Sequence, residues 1–122
     1  MELADGSPME EREGVIGGGE AILVLITCAT PEEAKLIARA VVEQRLAACV
    51  NVIPHVRSIF SWENKLSEEE EVLLVVKTRR PRFRELALSV KALHSYSVPE
   101  IIALPVIEGS SSYLKWIEDV TS

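Results

Sequence analysis

The chain has 122 residues, enough for one domain of ordinary size and too few for two. Hydrophobic residues make up 48% of it, which suits a packed core, yet no run reaches the roughly 18 apolar residues of a membrane-spanning helix. The net charge is −6, but five of those charges belong to residues 1–20, where six acids face only Arg12; the rest is nearly neutral, which excludes a general nucleic-acid binder.

Residues 1–20 lack both a basic start and an apolar stretch, and G-S-P and G-G-G punctuate them. They read as a disordered acidic leader, with the folded domain over 21–122 and no secretory signal. Residues 21–27 (A-I-L-V-L-I-T) form a continuous apolar run of strand length. Thr30-Pro31-Glu32-Glu33 then combines a Thr N-cap, Pro at the first helical position and Glu at the third, a capping box. Ala34, Ile37, Ala38, Val41 and Val42 follow at helical spacing, predicting a helix over 31–45.

The run 49–62 (C-V-N-V-I-P-H-V-R-S-I-F-S-W) is β-branched and aromatic and predicts a long strand bulged at Pro54, because proline cannot donate to a ladder. Glu63, Asn64 and Lys65 make the turn, and 69–78 is the returning strand. Phe83, Leu86, Val90 and Leu93 mark a second helix over 81–94, and 99–107 a fourth strand. Ser112 can cap a last helix whose Tyr113, Trp116, Ile117 and Val120 share one face. The order β-α-β-β-α-β-α is an α+β, ferredoxin-like split βαβ sandwich with an antiparallel sheet, a long projecting hairpin and an extra C-terminal helix.

Two features demand a partner. Runs such as V-L-L-V-V and I-I-A-L are apolar on both faces, whereas helices in this fold cover only one. A strand of this length spans roughly 45 Å, more than a domain with a radius of gyration of about 13 Å can pair internally. Uncovered edges of that length imply a homo-oligomer.

Five segments together resemble the CutA family of divalent-cation tolerance proteins: A-A-C-V-N at 47–51, S-I-F-S-W at 58–62, V-K-T at 76–78, H-S-Y-S-V-P-E-I-I at 94–102 and Y-L-K-W-I at 113–117. The resemblance covers about residues 21–121. It implies a homotrimer whose hairpins pair edge to edge, tolerance to copper and other divalent cations, and no shared enzyme reaction. The family's H-P-Y-E-V-P-E becomes H-S-Y-S-V-P-E here, so Ser95 and Ser97 stand where a proline and an acid are usual, and Phe60 where a tyrosine is.

The metal residues expected are Cys49, His94 and Glu100, with copper or another divalent cation as the ion, since thiolate and imidazole favour copper over magnesium or calcium. Each has a plainer alternative. Cys49 reads equally as a small buried hydrophobe, His94 as a cap on the preceding helix, and Glu100 as an acid at a strand's edge. Lys77 and Tyr96 are expected to support the same cleft, Lys77 by pairing with Glu100, and Trp62 to anchor the subunit interface. Arg79, Arg80, Arg82 and Arg84 are expected to pair with the acids 68–71 or to hold an anion. Cys28 reads as structural. Two thiols without an export signal point to the cytoplasm, and no membrane or nucleic-acid partner is expected. No Ser-His-Asp order, glycine-rich phosphate loop, H-E-x-x-H or C-x-x-C is present, so an enzyme is not expected. The alternative function is a trimeric signalling or interaction module that senses a small molecule in clefts between subunits.

Overall fold

A computed structural model of the chain describes residues 14–122. The elements run β1 (Val15–Gly17), β2 (Ala21–Cys28), α1 (Pro31–Glu43), β3 (Cys49–Trp62), β4 (Lys65–Arg79), a 3₁₀ turn (Arg80–Arg82), α2 (Phe83–Leu93), β5 (Ile101–Pro105), β6 (Glu108–Ser110) and α3 (Ser111–Thr121). The main sheet has the order β3-β4-β2-β5, all neighbours antiparallel, which is the ferredoxin-like arrangement. No described helix is long and apolar enough to cross a membrane.

The leader expected over 1–20 lies mostly outside the described residues. Its end does not fit that expectation, because Val15–Gly17 pairs with Glu108–Ser110 as a small second sheet. Gly18 allows this return: a Cβ there would lie 1.6 Å from the Val106 carbonyl oxygen.

Alternation in β2 and β4 gives the sheet two unlike faces. Ile22, Val24, Ile26 and Cys28 from β2, with Val72, Leu74 and Val76 from β4, are buried against Ala34, Ile37 and Val41 of α1 and Leu86 and Val90 of α2. Leu23, Leu25, Leu73 and Val75 face the other way and stay half-buried, while Ile102 and Leu104 of β5 are exposed beside them.

Helix α1 stops at Glu43, short of the expected 45, because Arg45 adopts a left-handed φ of 60° and Leu46 and Ala47 fold back onto the Val41 carbonyl. Its Thr30 cap accepts from the Glu33 amide at 3.2 Å as expected. The returning strand is longer than expected, starting at Lys65. Glu63 and Asn64 both take positive φ (53° and 64°), a two-residue turn that lets pairing begin at Trp62 and Lys65. The bulge falls between Ile53 and Val56, with His55 at φ 63°. One extra residue reverses the alternation, so Val56, Ser58, Phe60 and Trp62 continue the open face begun by Cys49, Asn51 and Ile53.

Helix α3 starts at Ser111, one residue before the expected cap. Of its expected apolar stripe Ile117 is buried, whereas Tyr113 and Trp116 remain exposed in the single chain. Its C-terminus is held by arginines: Arg79 donates to the Thr121 hydroxyl and carbonyl at 2.8 Å each, and Arg82 to the same carbonyl at 2.7 Å. Neither meets the acids 68–71 as expected, because a helix C-terminus offers free carbonyls and negative dipole within closer reach.

Candidate functional site

Where β2 and β5 end, the β3–β4 hairpin continues alone, and a cleft of about 630 Å³ opens at the junction on the open face. Glu69 and Glu71 of β4 line it, with Ser58, Phe60 and Trp62 of β3, Thr27, and Tyr96, Ser97, Val98 and Glu100 of the segment leading into β5. Opposite register positions explain the grouping: Ser58 faces Glu69 and Phe60 faces Ser67, so these side chains share one face. Glu71 is only 7% exposed and accepts the Tyr96 hydroxyl at 2.6 Å. Burial, reinforced by Glu71, raises the Tyr96 phenol well above its ordinary range.

His94 sits behind this cleft with its ring fully enclosed. Its Nε2 lies 2.7 Å from the Thr27 carbonyl, to which it donates, and its Nδ1 accepts the Tyr96 amide at 3.1 Å. Both nitrogens are therefore spent on backbone, which fixes the turn after α2 and leaves no lone pair for a metal. The Tyr96 backbone amide, not its side chain, thus holds the second nitrogen. Glu33 completes the turn by accepting the Ser95 amide at 2.6 Å and hydroxyl at 2.9 Å. The sequence places Glu33 in a capping box; the fold uses its carboxylate to tie α1 to the α2–β5 turn. Cys28 lies buried nearby, its thiol pushed up to about 12 by burial first and by Glu33 and Glu71 next.

Cys49 belongs to a separate cluster on the same face. The Lys77 ammonium lies 3.9 Å from its sulfur and hydrogen-bonds the Asn51 side chain. Tyr113 stands beside it, its phenol raised by burial first and by Cys49 next. From Lys77 to Glu71, β4 runs roughly 20 Å at about 3.3 Å per residue, so Lys77 serves Asn51 and not Glu100.

The expected metal residues are thus not brought together in one chain. Cys49 lies at one end of the open face, Glu100 lines the cleft at the other, and His94 is enclosed behind it. Among the described residues no three His, Cys, Asp or Glu come close enough to hold a metal ion. Trp62 is at the hairpin tip, 50% exposed. His55 is exposed and pairs with Glu70 at 2.9 Å. Sequence reasoning missed Glu69 and Glu71, although β4 alternation aligns them with Leu73 and Val75. It also missed Asn51 and Tyr113, for which the sequence offers no local signal.

The family model described as CutA1 divalent ion tolerance protein matches residues 22–120. The divalent-cation tolerance protein CutA of Thermus thermophilus is 50% identical over 99 residues, covering 81% of this chain and 96% of that one. Protein CutA of Mus musculus is 42% identical over 125 residues, covering 99% of this chain and 71% of that one. A solved structure of the Thermus thermophilus divalent cation tolerance protein superposes with a TM-score of 0.82 at 49% identity, covering 84% of this chain and 99% of the other.

Proposed function

This chain belongs to the CutA1 divalent ion tolerance family, and from that premise we propose a homotrimer that binds copper or another divalent cation in metal homeostasis. The family takes its name from tolerance to ions, and the reading is of a binding protein rather than an enzyme. Its proposed compartment is the cytoplasm, supported by two cysteines carried as free thiols.

The observation that carries the assembly is the hairpin. β2 stops at Cys28, opposite Val72, so among the described residues β4 has no partner on its second edge from Lys65 to Glu71, and β3 has none along its outer edge. Ile59, Phe60, Trp62 and Leu66 are exposed on that arm, Leu66 to 82%. Pairing each arm with the next subunit around a closed ring would cover both edges and the open face together. Burying one aromatic such as Trp62 contributes about 1.5–3 kcal/mol, and a three-fold ring repeats it at each interface.

The metal reading draws on the same geometry. Cys49 and Glu100 stand apart on the open face of one chain, so a ligand set that includes either is completed by a neighbouring subunit. Cys49 is the soft donor that would select copper; Glu100 would supply a hard oxygen to other divalent ions. His94 drops out of the set.

Light scattering at micromolar concentration should give the mass of three 13.5 kDa chains, and a monomer mass would end the reading. Copper and zinc titrations should weaken in Cys49→Ala and Glu100→Gln; unchanged affinity in both variants removes the metal assignment.

A second reading is that of a trimeric module that takes a small molecule, supported by the cleft between the hairpin and the 96–100 segment.

A further inference from the structure

We propose that His94 is a proton-operated latch on the segment leading into β5. As a neutral imidazole it holds the Tyr96 amide; as an imidazolium it turns to Glu33 and lets that amide go. Every contact involved lies within one chain, so the proposal is independent of the assembly and metal readings.

The partners force the tautomer. The Thr27 carbonyl can only accept and the Tyr96 amide can only donate, so Nε2 carries the hydrogen and Nδ1 the lone pair. A second acceptor waits beside that lone pair: the Glu33 carboxylate lies 3.4 Å from Nδ1. A proton taken from solvent onto Nδ1 consumes the lone pair and sets one N–H against another, which the neutral arrangement cannot survive. A small shift brings the new N–H onto Glu33 as a charge-assisted bond.

Glu33 also accepts the Ser95 amide and hydroxyl, so the turn stays tethered at Ser95 while it opens at Tyr96. The freed amide begins the stretch that carries the Tyr96 hydroxyl to Glu71. Around the ring stand Glu33 on α1, Cys28 next to Thr27 on β2, Tyr96 with its ring centroid 4.8 Å away, and Glu71 on β4 behind the Tyr96 hydroxyl. Cys28 and Tyr96 are raised, so both stay neutral in acid and leave the ring as the switching group. Burial opposes charge on an imidazole and a carboxylate favours it. Histidine is the side chain that ordinarily titrates between about pH 5 and 8.

The test is ¹⁵N NMR of the full chain from about pH 8 to pH 5. The chain has two histidines, and His55→Gln leaves one imidazole to observe. The His94 nitrogens should pass from the Nε2–H tautomer to imidazolium, and the Tyr96 amide signal should move with the same midpoint. Glu33→Gln should lower that midpoint by about one pH unit, about tenfold in proton affinity. His94→Asn offers an acceptor oxygen but cannot titrate, so its Tyr96 amide should ignore pH. An imidazole that stays neutral to pH 5 overturns the proposal. So does a Tyr96 amide indifferent to the ring's charge, or a midpoint unmoved in Glu33→Gln. Loss of the whole circular dichroism spectrum over the same range also overturns it, because the latch is local. If His94→Asn does not fold, the parent and Glu33→Gln decide.

Discussion

The two faces of β4 come from one run of alternating residues and meet different fates. Val72, Leu74, Val76 and Thr78 point to the helices and are closed over, Thr78 by donating its hydroxyl to the Leu46 carbonyl at 2.6 Å. Glu71, Leu73, Val75 and Lys77 point the other way, where α3 reaches one end through Tyr113 beside Cys49 and the segment leading into β5 reaches the other through Tyr96. The first face is finished within the chain. The second combines half-buried apolar side chains with Glu71, whose partner among the described residues is the Tyr96 hydroxyl, a surface made to be covered or filled.

The sharpest way to break this comparison is to cut the same side chain on each face. Leu74→Ala should cost about 2–5 kcal/mol in urea unfolding at any protein concentration, because its cavity forms in a closed core. Leu73→Ala should cost less, and its effect should grow as the protein is diluted. Equal, concentration-independent losses would mean that the open face needs no second chain. Trp62→Ala extends the test to the arm: its sedimentation mass should fall on dilution while its circular dichroism stays that of the parent.

A smaller effect comes from the turn that aims the arm. Asn64→Val places a β-branched residue at a left-handed φ of 64° and should cost about 1–2 kcal/mol by thermal melting. A neutral result would mean that the arm's direction is set elsewhere.

The smallest effect near neutral pH lies on the covered face. Cys28 keeps its thiol neutral in the fold, with its pKa raised from 9.0 to about 12. A raised folded value means stability that is complete below pH 9.0 and lost as pH climbs towards about 12. Tyr96, raised in the same direction, adds to the loss at higher pH. Urea midpoints measured across that window should fall less steeply in Cys28→Ala than in the parent. An identical slope would assign the alkaline loss elsewhere.

Most of the strands and helices were legible because each carries its own period and punctuation: Thr30-Pro31 opens α1, Pro54 marks the bulge, and Glu63-Asn64 the turn. The ends were less legible. Arg45 ends a helix in a conformation usually left to glycine, and Val15–Gly17 becomes a strand only because β6 offers it an edge. The site was legible in part. Tyr96 and Glu100 do line a cleft, and the parity of Glu69 and Glu71 was there to be read. His94 was misplaced because its residue type fits a ligand and a buried hydrogen-bonding hub equally well.

What the sequence determined by itself is the local alternation: which residues share a face, where helices start, and that one face of the sheet exceeds what its own helices can cover. These follow from periods of two and about 3.6 residues, which need no knowledge of neighbours. Only the tertiary structure decided partners. It gave Glu33 to Ser95, Lys77 to Asn51, the arginines to the end of α3, and both nitrogens of His94 to backbone. Such pairings join residues far apart in the chain, and a hydrogen bond is decided by distances within a few tenths of an ångström that no local pattern encodes.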